Sequence, residues 1–259
     1  MAYYDYGAGN TKAWLFRSDG NLLHTSVSWE SCPGCWTKTA ATYVSGDFTG
    51  DGMADVVALY ENGGSHTTAY LFTSNGSRVY PTISWESSVG SWTKDSGAYV
   101  AGDFTGDGKA DVMSFYNNGS AQTQAWLFRS DGSRLYPTVS WNSCGGCWNQ
   151  TSATYVAGDV TGDGKADVTA FYDYGGGQTK AWLFRSEGMQ FSTSVTVSWE
   201  SCAGCWDKSK ASYGGGDFNG DRKADIVAFY DYGGTRTKAW LLTSAGTTLS
   251  AGSVAWDSN

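Results

Sequence analysis

Histidine and proline are scarce in this 259-residue chain, with two and three copies, and no long apolar run is present. His24 and His66 fall at different points of the chain's internal repeat and read as surface residues rather than as catalytic bases. No Gly-x-Ser-x-Gly elbow and no His-Glu-x-x-His pattern occurs, so no hydrolase signature is present and the chain is expected not to be an enzyme. Few prolines, together with 35 glycines and 15% aromatic residues, exclude both a disordered and a collagen-like chain. No stretch approaches the roughly 18 apolar residues of a membrane span. The opening Met1-Ala2-Tyr3-Tyr4-Asp5 lacks the basic and apolar regions of a signal peptide, so a secreted form is expected to have lost its signal or exchanged it for an initiating Met. Positive charge is also short: the formal balance is -8, which argues against nucleic acid or an anionic membrane as a partner. No segment carries helical periodicity.

What is present is a nine-residue stretch repeated four times. Asp47-Phe48-Thr49-Gly50-Asp51-Gly52-Met53-Ala54-Asp55 recurs as 103–111, 159–167 and 217–225, each time ahead of a run of β-branched and aromatic residues. Its oxygen donors are Asp47, Thr49, Asp51 and Asp55; Asp103, Thr105, Asp107 and Asp111; Asp159, Thr161, Asp163 and Asp167; Asp217, Asn219, Asp221 and Asp225. The seventh residue varies (Met53, Lys109, Lys165, Lys223), as suits a position that offers only its carbonyl. Carboxylates at positions one, five and nine with an oxygen at three make a hard-cation set, and Ca2+, which takes about six to eight oxygens in flexible geometry, is the expected ion. Asp and Gly also favour ordinary turns, but turn propensity alone does not hold three acids in register four times. In the fourth copy Arg222 replaces the glycine and sets a positive charge beside the ligands. The twelve loop aspartates are nearly half of the 25 acidic residues, so much of the acidity reads as metal ligation.

Aligned on itself, the chain repeats every 56 to 58 residues. Three columns, Trp14/Trp126/Trp182/Trp240, Trp29/Trp85/Trp141/Trp199/Trp256 and Trp36/Trp92/Trp148/Trp206, account for all 13 tryptophans. A period of this size points to a propeller or another array. In the third full unit, strands are expected over 153–160, 166–172 and 179–185, with a fourth ending near Trp199. Ala181 and Leu183 alternate with Trp182 and Phe184, so both faces are apolar, as in a blade packed between two others. The expected fold is therefore all-β: a single β-propeller domain over 1–259, with four-stranded antiparallel blades at 37–92, 93–148, 149–206 and 207–259 and an N-terminal half-blade at 1–36. Because the strand count does not close, the first blade is incomplete, or is completed by another chain in a homo-oligomer, or the chain is a piece of a longer array.

The motif Gly-Asp-Phe-Thr-Gly-Asp-Gly-Lys-Ala-Asp-Val at 102–112 resembles the calcium loop of FG-GAP or VCBS repeats, known from integrin α-subunit propellers and secreted bacterial proteins. The longer unit is similar to the repeat of the Psathyrella velutina lectin family, a seven-bladed propeller. The resemblance implies a calcium-stabilised carbohydrate-binding propeller. Three departures stand against a direct transfer of sugar contacts: metal loops in all four full units, a Cys-x-x-Cys between blades, and too few repeats for seven blades.

The six cysteines form local pairs, Cys32/Cys35, Cys144/Cys147 and Cys202/Cys205, and the second unit replaces both members together with Ser88 and Ser91. Joint loss is what a disulfide predicts, since an orphaned thiol is a liability. Zinc needs two pairs brought together, and a redox role needs a βαβ context; neither fits. Three small disulfide loops are expected, and with them an extracellular, oxidising location. Trp36, Trp92, Trp148 and Trp206 close this segment, beside Glu30, Asn142 or Glu200 and polar residues such as Lys38, Asn149 and Asp207. A rigid indole next to fixed polar groups suits a sugar; the competing use of such a tryptophan is a wedge between blades. The expected function is a secreted lectin for glycans such as N-acetylated sugars, multivalent through equivalent inter-blade sites. The alternatives are a self-assembling, adhesive or protein-binding propeller, and a non-catalytic accessory module of a secreted hydrolase.

Overall fold

A computed structural model describes residues 1–258. Among them there is no α-helix, only four single 3₁₀ turns, each leading into the first strand of a sheet. The first sheet has three strands, β1 (Ala2–Asp5), β2 (Thr11–Ser18) and β3 (Leu23–Glu30). The second has four, β4 (Ala41–Gly46), β5 (Asp55–Glu61), β6 (Thr67–Ser74) and β7 (Val79–Glu86). The third comprises β8 (Gly97–Gly102), β9 (Asp111–Asn117), β10 (Thr123–Ser130) and β11 (Leu135–Asn142). The fourth holds β12 (Ala153–Gly158), β13 (Asp167–Asp173), β14 (Thr179–Phe184) and β15 (Thr196–Glu200). The fifth holds β16 (Ala211–Gly216), β17 (Asp225–Asp231), β18 (Thr237–Leu242) and β19 (Ser253–Asp257). These are the antiparallel blades of a β-propeller. The N-terminal sheet, expected as a half-blade, has three strands, since β1 pairs with β2 along its whole length from Ala2↔Trp14 to Asp5↔Thr11. The first strand of the fourth sheet stops at Gly158, short of the expected 160, because Val160 already belongs to the aspartate loop, where its side chain is buried.

The chain divides into two compact units, Met1–Gly97 with Arg129–Tyr136, and Ala98–Phe128 with Pro137–Asn259. In the first, Ala13, Trp36, Val56, Ala58, Phe72 and Val79 form a core between the first and second sheets. In the second, Phe115, Leu127, Trp148, Val168 and Phe184 bridge the third and fourth sheets, and Phe171, Trp206, Ile226, Ala228 and Leu242 bridge the fourth and fifth. The alternation expected on β14 is met: Ala181 packs toward the fifth sheet while Phe184 packs toward the third.

One ring stack recurs at three junctions, of the first sheet with the second, the third with the fourth and the fourth with the fifth. Tyr3 lies on Tyr43 at 4.1 Å, Phe115 on Tyr155 at 4.0 Å and Phe171 on Tyr213 at 4.0 Å. Such pairs contribute about 0.5–1.5 kcal/mol beyond the area they bury. A β-bulge sits at the Ala-aromatic step of four sheets, between Ala13/Trp14, Ala69/Tyr70, Ala181/Trp182 and Ala239/Trp240. A bulge re-aims the side chain at which it occurs. Here Trp14, Trp182 and Trp240 each donate their indole N–H to a turn tyrosine, Tyr6, Tyr174 or Tyr232, at 3.1 Å.

Candidate functional site

Each aspartate loop is held by its own carboxylates. Asp47 accepts the N–H groups of Gly50 at 2.7 Å and Asp51 at 3.1 Å through Oδ1, and that of Gly52 at 2.7 Å through Oδ2. Asp51 accepts the Met53 N–H at 2.9 Å. Asp55 accepts the Thr49 N–H at 3.1 Å and reaches the end of β6, taking the Ser74 N–H at 2.7 Å. The ninth-position aspartates 55, 111, 167 and 225 are wholly buried. Burial pushes the Asp167 carboxyl up to about 6 and raises that of Asp55 as well, against the pull of their amide partners. In the fourth loop Arg222 takes the glycine's place in the left-handed region, at φ +69°, and donates its N–H to Asp217 at 2.9 Å. Consecutive loops are tied together: Ala166 donates to the Asp103 carbonyl at 2.7 Å, and Ala224 to that of Asp159 at 2.6 Å.

Among the described residues, no three acidic, histidine or cysteine side chains converge to hold a metal ion. The loop carboxylates are instead drawn onto backbone amides. Their chemistry nevertheless fits a hard cation: the side-chain donors are all oxygen, Oδ2 of each first-position aspartate accepts a single backbone N–H, and one acid per loop is buried. A cationic group already stands beside the fifth-position carboxylate in three loops, with Lys109 Nζ 3.8 Å from Asp107, Lys165 Nζ 3.4 Å from Asp163 and Lys223 Nζ 3.4 Å from Asp221.

The three disulfides are present, Cys32–Cys35, Cys144–Cys147 and Cys202–Cys205, with Cα separations of 5.2, 5.3 and 5.2 Å. Each loop docks on the hairpin turn of its own sheet, as when Gly204 donates to the Gly176 carbonyl at 2.8 Å and Trp206 to that of Gly177 at 2.9 Å. The approach leaves no room for side chains, since a Cβ on Gly177 would lie 2.9 Å from the Gly204 Cα.

The column Trp36, Trp92, Trp148 and Trp206 is buried. Trp36 donates to the Tyr43 hydroxyl at 2.9 Å, Trp148 to Tyr155 at 2.9 Å and Trp206 to Tyr213 at 2.8 Å, each reaching the first strand of the following sheet. Trp92 meets Trp85 edge-on at 5.8 Å. Asn149 and Asp207 cap 3₁₀ turns through the N–H groups of Thr151 and Ser209, at 3.2 and 2.9 Å.

Two grooves nevertheless open beside this column, at the same place on different sheets. One, of about 550 Å³, is lined by Trp199, Glu200, the Cys202–Cys205 loop, Trp206, Tyr232 and Trp240. The other, of about 370 Å³, is lined by Trp29, Glu30, the Cys32–Cys35 loop, Trp36, Tyr70 and Ile83. Each rim acid is held by a lysine of its own sheet, Glu200 by Lys180 and Glu30 by Lys12, both at 3.0 Å. Those lysines lie over turn tyrosines, with Lys12 4.9 Å from the Tyr6 ring and Lys180 5.3 Å from the Tyr174 ring. The fifth sheet repeats the cluster with Lys238 over Tyr232 at 5.6 Å and paired to Asp257 at 3.1 Å. Tyr6, Tyr174 and Tyr232 were legible as a motif, Asp-Tyr-Gly with a lysine six residues after the tyrosine, but the columns of tryptophan hid them.

The sequence profile of the FG-GAP-like repeat matches residues 47–114 and 103–170, two overlapping windows that each run from one aspartate loop through the next. No curated protein matches the chain. FG-GAP-like propeller repeats are typically non-catalytic, and the fold suggests a protein-binding or adhesive module. Three disulfides suggest an oxidising, extracellular-type environment. No helix of the described residues is long and apolar enough to cross a membrane.

Proposed function

We propose that the chain is a secreted, carbohydrate-binding β-propeller module whose sugar sites are the grooves beside the disulfide loops. The supporting observation is the recurrence of one groove on two sheets, each with aromatic walls, a disulfide-closed rim and a lysine-held carboxylate. Aromatic faces cover the apolar face of a pyranose with little entropy to lose, and the fixed acid accepts hydroxyl protons. The exposed groove residues, chiefly Tyr232 and Glu200, meet the ligand; the buried indoles of Trp36, Trp92, Trp148 and Trp206 set the groove floor and join the sheets. Equivalent weak sites on one chain gain avidity without new contacts.

Calcium in the aspartate loops has a structural role in this reading. The ion supplies positive charge to the loop carboxylates and holds the turn between the first two strands of each full blade. Asp47, Thr49, Asp51, the Met53 carbonyl and Asp55, with their counterparts in the other loops, hold it. A glycan array run with calcium and again with chelator tests the reading: discrete hits, including N-acetylated sugars, that weaken in Y232A support it. A blank array from folded, calcium-loaded protein refutes it.

A further inference from the structure

The wall of the groove between the fourth and fifth sheets is repeated one junction earlier, by residues that all lie in the second compact unit. Trp182 donates its indole N–H to Tyr174 at 3.1 Å and meets Trp148 edge-on at 6.1 Å. Trp240 does the same with Tyr232 and Trp206, at 3.1 and 6.1 Å. Tyr174 and Tyr232 are equally exposed, at 48% and 46%. The half-cystines of the Cys144–Cys147 loop are exposed, like those of Cys202–Cys205.

The two rims correspond in position but differ in charge. At the later junction the rim holds Glu200, whose Oε1 takes Lys180 Nζ and Gln178 Nε2, both at 3.0 Å, and whose Oε2 has no partner among the described residues. At the earlier junction the same place holds Asn142. Its Oδ1 takes a proton from Gln124 Nε2 at 2.6 Å, and its own Nδ2 protons have no acceptor among the described residues. The two members of each pair change together: Lys stands with Glu at 12/30 and 180/200, and Gln with Asn at 124/142. The residue after the closing tryptophan changes in the same sense, Asp207 at one junction and Asn149 at the other. Asp173 and Asp231 hold the same turn at both, each taking a glycine N–H at 2.7 Å, so they do not set the two apart.

A carboxylate with a bare oxygen accepts hydroxyl protons and repels an anion, whereas a primary amide with free N–H groups donates to an anion and opposes it with no charge. We infer that the junction of the third and fourth sheets is a further ligand groove that takes a carboxylated sugar, a uronic acid glycoside, which the Glu200 groove rejects. Asn142 is the residue that sets the difference. Specificity of this kind lies in the repulsive element of one site as much as in the attraction of the other. The inference rests on the carbohydrate reading of the grooves and deepens it.

Matched glycosides that differ only at the sixth carbon test it on the full, nitrogen-15-labelled chain: methyl glucoside with methyl glucuronide, and methyl galactoside with methyl galacturonide. The amides of Gly175 and Gly233, in the turns that carry Tyr174 and Tyr232, report on the two grooves in a shift titration. The reading is the ratio of dissociation constants, acidic over neutral member, at each groove. The acidic member should bind the tighter at Gly175 and the weaker at Gly233, there by about 5-fold or more, the repulsion of two charges at a wetted rim. Exchanging the rim pairs, Q124K/N142E in one variant and K180Q/E200N in another, should invert the ratio at the altered groove alone. Each exchanged pair imitates one that the chain already carries, so folding should survive, as the amide spectrum will check; the wild-type comparison needs no variant. Equal ratios at the two grooves, or ratios that do not move with the exchanged pair, overturn the inference while leaving the grooves as sugar sites. Silence of both reporters toward every glycoside refutes the groove reading itself, and the inference with it.

Discussion

The second sheet offers a direct test of what the disulfide loops do, because there the cysteines are serines. Ser88 and Ser91 hold the same turn as the cystines: Ser91 donates its N–H to the Ser88 carbonyl at 3.1 Å, where Cys35 does so to Cys32 at 3.0 Å. Gly90 donates to the Gly64 carbonyl at 3.0 Å, as Gly34 does to Ala8 at 2.9 Å, and Gly90 has φ +81° where Gly34 has +76°. A double substitution S88C/S91C should therefore close without backbone movement. For a ring of about four residues the chain-entropy relation gives about 6 cal/mol/K, or about 2 kcal/mol at room temperature. Against this stands the loss of the Ser91 hydroxyl bond to the Ser88 carbonyl, 2.6 Å long, at about 1 kcal/mol. The net gain is about 1 kcal/mol, which for a chain of this size raises the melting midpoint by about 2–4 °C. Intact mass should fall by two hydrogens and the alkylation of free thiols should vanish. The gain should disappear under a reductant, measured against wild type treated in the same way. Thiols that stay free in oxidising buffer, or a bond that forms and lowers the midpoint, would refute the claim that this loop already has the cystine geometry.

Arg222 holds a left-handed conformation that costs a side chain about 1–2 kcal/mol and that glycines hold in the other three loops, so R222G should raise stability by about 1 kcal/mol in chemical denaturation and G164R should lower it. W206A should cost about 3–5 kcal/mol, because it empties a packed wedge and orphans the Tyr213 hydroxyl. Y232A, on an exposed side chain, should stay within about 1 kcal/mol of wild type while weakening glycan binding, and isothermal titration separates the two effects. D107A should remove a single calcium ion in native mass spectra and lower the melting midpoint only when calcium is present, with sugar binding at other blades retained; equal ion counts in D107A and wild type would place the cation elsewhere.

The aspartate loops, the strand order and the cystine pairing are legible in the sequence, because each is local. A loop of Asp-x-Thr-Gly-Asp-Gly folds on its own backbone amides, a run such as Ala181 to Phe184 shows by alternation that both its faces are covered, and two cysteines three residues apart that vanish together have only each other. Alternation also indicated blades packed on both sides, hence a propeller.

Which neighbour covers a given face is a different kind of fact. Trp206 gives its N–H to Tyr213, only seven residues on, but nothing local to it reveals that Tyr232 and Trp240, some thirty residues away, will line the groove beside it. Phe16 and Phe184 occupy the same place in the repeat, yet one is exposed and the other buried, since burial depends on the sheet that arrives from elsewhere in the chain. Sequence by itself determined the unit, because the unit's interactions close within about 50 residues. Tertiary structure decided which aromatic residues are wedges and which rim a groove, because apolar contact is non-directional and is settled only when two surfaces meet.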